Sequence, residues 1–283
     1  MSKLPPLVKL FKETNEIQRV ITLRNSRNSR HRYREFILEG RMAIDEAYQK
    51  RWKVKALFYN KDHRLSDWAK NHLAQGRYEI AYEVSASLMD KMADKTESTE
   101  MIAIAETQIR FFSECTPGPQ DIIFVLDSPK SAGNVGMMIR SAVAFGAQGL
   151  VISGHAADEY DPKCLRASVG TFFSIPIYRV DGVGQFLTHI DQIKKQQNIQ
   201  IIASGDQGAY SLEEAEFGND TLFVILGNET RGVSLGYKQL SNQFVRIPLS
   251  GKFTSLNVAA AGSIFLYEIF RRRKRENYPR IDA

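Results

Sequence analysis

The chain has 283 residues, room for two domains, and its 43% hydrophobic and 25% charged content is that of a globular protein able to bury a sizeable core. The formal net charge of +6 permits nucleic-acid binding without requiring it. The two cysteines, Cys115 and Cys164, are not at metal-ligand spacing and give no disulfide framework, so a reduced cytosolic protein is the default.

Residues 1–22 read as an N-terminal extension. Lys3, Lys9 and Lys12 fall there without the continuous apolar run of a secretory signal. Arg24, Arg27, Arg30, Arg32 and Arg34 follow in one stretch, with Asn25, Ser26, Asn28 and Ser29 between them. Such a cluster either docks RNA phosphates or forms a flexible, solvated arm. Strands and helices then alternate to residue 113. Glu35 to Glu39 reads as a strand ended by Gly40, and Met42, Ala43, Ile44, Ala47 and Tyr48 as a helical stripe. Val54 to Tyr59 is a second strand. The helix after it, around Ser66 to Ala74, has Ser66 as N-cap and Gly76 as stop. Tyr78 to Val84 and Met101 to Ala105 are further strands, with a short helix from Ser87 to Ala93. Together these make a small α/β/α unit spanning 23–113.

Pro117, Gly118 and Pro119 punctuate a linker over 114–120. A second domain, 121–283, opens on Asp121 to Leu126, a continuous apolar run of the kind found in parallel strands buried on both faces. Gly149 to Ile152, Gln200 to Ala203, Thr221 to Leu226 and Phe244 to Ile247 repeat the signal. Helical stretches separate most of them, at Val135 to Phe145, Gly184 to Gln196 and Leu256 to Arg273. The alternation predicts an α/β fold whose mostly parallel sheet has helices on both faces. The most apolar late stretch, Val258 to Phe270, is too short to span a bilayer and contains Glu268. Arg271, Arg272, Arg273, Lys274 and Arg275 form a second basic block.

Three turns carry the chemistry. Asn134-Val-Gly136 and Gly227-Asn228-Glu229-Thr-Arg-Gly232 each follow an apolar run, and Ile247-Pro248 leads on to Ser255-Leu256-Asn257-Val258. In an open α/β sheet such turns lie at the carboxyl ends of strands, where ligands bind. The first turn offers a helix start to a phosphate or carboxylate. The dinucleotide fingerprint and the Gly-x4-Gly-Lys-Ser/Thr phosphate loop are absent, which disfavours nicotinamide and nucleoside-triphosphate enzymes. Asn134 and Arg140 both suit the strand ends, or else an N-cap and a solvated helix Arg. Glu229 at the end of a buried run needs a partner or a cleft; pairing with Arg140 and orienting a substrate are both open. Ser255 is explained equally by capping the helix that follows. Ala259, Ala260, Ala261 and Gly262 make one side of that helix small enough to pack closely on a neighbour or a second subunit. His31, His63, His72, His155 and His189 are scattered, and no metal is expected. Asp158, Glu159 and Asp161 read as a solvated acidic loop.

Taken in order, Asn134-x-Gly136-x-x-x-Arg140, Gly227-Asn-Glu229-x-x-Gly232 and Ile247-Pro248 with Ser255-Leu256-Asn257-Val258 resemble the three motifs of the SpoU (TrmH-type) branch of the SPOUT RNA methyltransferases. The likeness covers roughly residues 120 to 273. Phe36-Ile-Leu-Glu39-Gly40-Arg41 resembles the start of the L30e-like substrate-binding domain that precedes it in many members. Gly154 to Lys163 and Arg166-Ala-Ser-Val-Gly170 look like the large-subunit ribosomal RNA uridine methyltransferases of the family.

The resemblance implies 2′-O-methyl transfer from S-adenosylmethionine to ribosomal RNA, that of the large subunit (23S), with a deep trefoil knot and a homodimer. It implies that Asn134 positions the ribose and that Glu229 orients Arg140 or the substrate, with Ser255 and Asn257 completing the site. A guanidinium is almost never deprotonated, so Arg140 suits a charge stabiliser better than a base. Leu226, Gly227, Asn228, Gly232, Ile247, Pro248, Leu256 and Val258 are expected around the methyl donor, although the aliphatic ones also suit ordinary core. The rival readings are a non-catalytic RNA- or ribosome-binding protein on the same fold, a transfer-RNA enzyme, and a methyltransferase of another fold.

Overall fold

The computed structural model describes residues 4–93, 99–251 and 255–273, so Lys274 and Arg275 of the C-terminal basic block lie outside the described residues. The chain forms two compact units. One runs to Gln108 and takes in Asp158–Phe173; the other takes Ile109–Ala157 and the chain from Ser174 onward.

The first unit contains β1 (Leu7–Leu10), α1 (Asn15–Asn25), α2 (Arg27–Tyr33), β2 (Glu35–Glu39), α3 (Arg41–Gln49), β3 (Val54–Asn60), α4 (Asp67–Gln75), β4 (Ile80–Val84), α5 (Ala86–Met92) and β5 (Met101–Glu106). Its strands lie in the order β1-β4-β3-β5-β2, with β5 antiparallel to both neighbours. Ser66 caps α4 by accepting the Ala69 N–H, and Gly76 ends that helix in the left-handed region, as the sequence predicts.

The region before Glu35 differs from expectation. It is neither an extension nor a loose arm. Residues 7–10 form the edge strand of the sheet, and α1 buries Ile17, Val20 and Leu23. Arg24 donates to the carbonyls of Lys91, Met92 and Ala93 at the end of α5, where cations suit the helix dipole. Arg30 is 2% exposed: its Nε meets Asp158 Oδ2 at 2.6 Å, its Nη2 meets Asp161 at 3.2 Å, and Nη1 donates to the Leu23 carbonyl. Arg30 is therefore withdrawn from RNA, which corrects its reading as a phosphate contact. Arg27, Arg32 and Arg34 are exposed. The acidic loop is likewise not solvated, because Asp158 and Glu159 are both buried.

Asp158–Phe173, expected wholly within the second domain, belongs to the first unit. Besides the ion pair, it is held by aromatic packing. Tyr160 and Phe172 approach Phe36 at 4.8 and 6.3 Å between ring centres, and Phe173 meets Trp52 edge-on at 5.3 Å.

The second unit contains β6 (Arg110–Phe111), β7 (Ile122–Asp127), α6 (Ala132–Ala144), β8 (Gly149–Ser153), β9 (Ile177–Val180), α8 (Val183–Lys194), β10 (Ile199–Ser204), β11 (Tyr210–Ser211), β12 (Thr221–Leu226), α9 (Leu235–Leu240), β13 (Gln243–Arg246) and α10 (Val258–Arg273), while α7 (Pro162–Ser168) falls in the inserted segment. All eight strands are parallel, in the order β11-β13-β10-β12-β7-β8-β9-β6. Every residue of β7, β8 and β12 is buried, the mark of strands covered on both faces. Ile225 joins the core cluster of Phe186, Ile190 and Tyr237, whereas Leu226 points to the opposite face, under Gly262 of α10.

A Cβ at Gly262 would lie 2.4 Å from Met138 Sδ, so the small side of α10 packs on α6 of the same chain. Arg271 and Arg272 grip Glu268, which is held down to about 2 by those hydrogen bonds and charges, outweighing its burial. Arg273 donates to the Gln120 and Asp220 carbonyls. The described part of the basic block thus fastens the helix to its own unit. No helix among the described residues is long and apolar enough to cross a membrane.

Removing one partner of a buried ion pair strands the other charge, at about 3–5 kcal/mol. Arg30→Met should therefore destabilise the protein by about that amount in urea unfolding, and Arg30→Met with Asp158→Leu should recover much of the loss. Equal losses in the single and double variants would count against the pair.

Candidate active site

The sheet changes winding direction at β7 and β12, since β8 and β9 extend one way and β10 lies on the other. Ligands of open α/β sheets bind at the strand carboxyl ends beside such a reversal. Three loops meet there. The loop after β7 runs from Ser128 to Ser131, which caps α6 by accepting the Asn134 N–H at 3.3 Å. Ser131 is thus the cap, not Asn134, which sits in the first turn.

The loop after β12 folds back on itself through paired backbone bonds between Asn228 and Gly232. A Cβ at Gly227 would fall 2.1 Å from the Gly232 carbonyl carbon and the Val233 nitrogen. Gly227 is needed for this self-contact, so the close approach it allows is taken by the chain itself. Asn228 uses both ends of its amide on the protein: Oδ1 accepts from Thr230 N, and Nδ2 donates to the Ser128 carbonyl at 2.7 Å. Asp127 accepts the Ser234 N–H at 2.8 Å. The first two loops are therefore laced together before any ligand enters. Sequence reasoning passed over Asp127, whose signal was an acid closing an apolar run.

The third loop ends at Asn257, whose Oδ1 accepts the Ala259 and Ala260 N–H groups at 2.9 and 3.3 Å. Asn257 caps α10, so Ser255 does not. Its Nδ2 donates to Asn134 Oδ1 at 3.0 Å, and Asn134 Nδ2 donates to Glu229 Oε1 at 2.9 Å. The direction of this relay is forced. Backbone donors fix the oxygen of Asn257, which fixes its nitrogen, which fixes both ends of Asn134 against a carboxylate that can only accept.

Glu229 closes the relay. Its carboxylate also accepts from Lys130 N at 3.1 Å and Ser131 N at 3.3 Å. The helix start expected to hold a ligand anion holds the chain's own carboxylate instead. Burial pushes the Glu229 carboxyl up, but the hydrogen bonds from Asn134 and from backbone N–H groups outweigh it and leave it below its ordinary value. Glu229 makes no ion pair with Arg140. Arg140 lies six residues beyond Asn134 on α6, which places it about 9 Å along the helix and roughly 120° around it. It is exposed, and among the described residues it makes no hydrogen bond or ion pair. Asn134 and Arg140 therefore do not share one face.

Beside the relay is a cavity of about 350 Å³, within the range of ligand sites. Leu226, Gly227, Asn228, Gly232, Ile247, Leu256 and Val258 all line it, as do Glu229 and Ser255. Pro248 does not. Leu249, Phe265, Asp206 and Arg231 line it without having been expected. Leu249 and Leu256 are 38% and 42% exposed, apolar surface left open at the cavity. Among the described residues no group of His, Cys, Asp and Glu is arranged to hold a metal ion.

A carboxyl with a lowered folded value gives stability that is present above its ordinary value of 4.5 and is lost as pH falls through the folded value. Glu229→Gln loses the carboxylate's acceptor pairing at every pH. The stability gap between wild type and this variant should therefore narrow as pH is lowered from 6 to about 3 in urea titrations. A gap that stays constant would remove the carboxylate from the relay.

Residues 121–267 match the SpoU rRNA methylase family, and residues 15–103 match the SpoU L30e-like domain. The chain is 34% identical to the 23S rRNA (uridine(2479)-2′-O)-methyltransferase of Streptomyces viridochromogenes, over 96% of this chain and 94% of that protein. The crystal structure of the SpoU methyltransferase AviRb from the same organism, in complex with AdoMet, superposes with a TM-score of 0.87 at 32% identity, covering 92% of this chain and 98% of that one. The 23S rRNA (guanosine(2553)-2′-O)-methyltransferase RlmP of Bacillus subtilis is 24% identical over 87% of this chain and 92% of its own length. The likeness read in the sequence, including the closer one to ribosomal RNA uridine methyltransferases, is borne out. The chain belongs to the SpoU rRNA methylase family.

Proposed function

We propose that the protein transfers the methyl group of S-adenosylmethionine to a ribose 2′-hydroxyl of 23S ribosomal RNA. The observation that carries this reading is the junction of the amide relay with the cavity: polar groups fixed in direction stand at the edge of an apolar slot. The cavity fits the methyl donor in kind. Leu226, Ile247, Leu249, Leu256 and Val258 offer apolar walls to an adenine ring. Bound there, S-adenosylmethionine supplies an activated sulfonium methyl.

The chain's own residues do the rest. Asn134, locked from both sides, holds the ribose beside the cavity. A sugar hydroxyl is a weak nucleophile near neutral pH, so much of the barrier must fall to alignment. Glu229 and Asn257 set the angle of Asn134, and Ser255 stands at the cavity wall. Arg140 stabilises the charge that grows on the attacking oxygen and grips the adjoining phosphate. Its exposure and lack of internal partners leave its planar fork available for that task. Of the N-terminal cluster, Arg27, Arg32 and Arg34 remain candidates for phosphate contacts.

A homodimer and a deep trefoil knot belong to the same reading, as does a place in the cytoplasm with the ribosome. Met137 on α6 and Ile264 and Tyr267 on α10 are 49%, 38% and 53% exposed. Ala260, Ile264 and Tyr267 recur at helical spacing, a stripe that a second copy would cover.

Mapping 2′-O-methyl positions in ribosomal RNA with and without the gene tests the reaction: one position should lose its methyl group, and an unchanged map would sink the proposal. Arg140→Ala should lower kcat by about a hundredfold or more. Arg140→Lys keeps the charge but loses the bidentate fork, and should still cost about tenfold. Both variants should bind S-adenosylmethionine like wild type, because Arg140 does not line the cavity. Near-normal turnover of the Lys variant at saturating RNA would take this role from Arg140.

A further inference from the structure

A second cavity lies within the first unit, and the reaction above makes no use of it. It holds about 210 Å³, between the β2–α3 turn and the inserted segment. That is below the ~300–1,000 Å³ of sites that take whole cofactors. It equals about seven waters at ~30 Å³ each, the scale of one planar ring system. Resting on the proposed function, we infer that this cavity receives a single unpaired nucleobase of the RNA substrate, with Arg41 and Arg166 on the phosphates beside it.

The walls suit a base. Met42 and Val169 are 54% and 40% exposed, apolar surface left open at the cavity. Ile37 and Leu165 form apolar surface behind them. Splayed bases are bound on such surfaces through their faces, a mode that suits single-stranded loops and bulges in RNA.

The rim suits phosphate. Arg41 and Arg166 both line the cavity and both are exposed. Arg41 is held in place rather than loose: its guanidinium lies 5.2 Å over the Trp68 ring and 3.3 Å from Glu100, with 61% of the side chain still open. An arginine at a protein surface that keeps its fork towards solvent is well placed for phosphate oxygens. The first turn of α3, at the same edge, has no side-chain cap.

The cavity is also built rather than incidental. Gly170 stands at φ +81°, and a Cβ there would meet Met42 Cγ at 3.0 Å and Glu46 Cγ at 3.1 Å, so glycine suits both the backbone conformation and the close approach of the two walls. The far wall is fastened by the buried Arg30–Asp158 pair and by buried Cys164 and Leu165. Two arginines that the sequence offered to RNA, Arg24 and Arg30, bond within the protein. Arg41 and Arg166 flank this concavity.

The test uses full-length protein and a ribosomal RNA fragment carrying the methylated position, substituted with 4-thiouridine at unpaired sites. Photo-crosslinks should map to residues 39–43 or 162–170. Arg41→Ala and Arg166→Ala should each weaken RNA binding about tenfold and lower the slope of log affinity against log salt by about 1. Arg166→Lys should keep the slope, which guards against simple misfolding, and S-adenosylmethionine affinity should be unchanged in all three. Crosslinks confined to other surfaces, or arginine variants with wild-type affinity and slope, would overturn the inference. A ribosomal protein crosslinked there in place of RNA would do the same. The two readings fail separately: a protein that methylates no ribosomal RNA sinks the reaction, whereas one that methylates it while both arginine variants bind normally sinks this site.

Discussion

The amide relay from the start of α10 to the start of α6 is the constraint on which the candidate site depends. Two asparagines and one glutamate join three loops whose members are separated by 95 and 123 residues. A primary amide can be read backwards by 180° and still look satisfied on one side. Here neither Asn134 nor Asn257 has that freedom, because backbone N–H groups fix one end of the chain of bonds and a carboxylate fixes the other. Networks of this kind strengthen when complete and become a liability when one member is lost. The site is thus arranged by the protein before a substrate arrives, which is what alignment of a weak nucleophile demands.

The same arrangement divides labour between neighbouring residues. In the loop after β12, Asn228 is spent on holding the backbone, Gly227 on letting that backbone fold back, and Glu229 on the relay. None of the three is simply a ligand contact, although two line the cavity beside Glu229. The apolar walls come instead from strand ends and from the residues leading into α10. A relative acting on a uridine and another acting on a guanosine match this chain over most of its length.

The sheet of the second unit was legible because strands buried on both faces cannot hide their composition: Asp121 to Leu126 and Thr221 to Leu226 are nearly pure apolar runs. The caps Ser66 and Gly76 were legible for local reasons. What failed was long-range. Helix α1 has only three buried side chains among polar ones, so its stripe was too thin to see. Arg30 reads like its exposed neighbours, and only the fold brings Asp158 to it from 128 residues away. Ser255 and Asn257 are both good caps by type, and the path of the chain into α10 decides between them. The convergence of Asn134, Glu229 and Asn257 was foreseen through family resemblance, since no periodicity joins positions so far apart. The six residues between Asn134 and Arg140 already set them about 120° apart around α6, an angle legible from spacing alone.

The excursion of Asp158–Phe173 has a consequence for the history of such proteins. The polypeptide passes between the units at Gln108, at Ala157 and again at Ser174. A genuine bead on a string is crossed once and can be cut out, duplicated or exchanged at its linker. Here a graft made at residues 114–120 would deliver a recipient without Tyr160, Phe172 or the carboxylate that neutralises Arg30. Shuffling of the first unit must therefore carry with it a segment embedded in the sequence of the second, so the two would be inherited as one block.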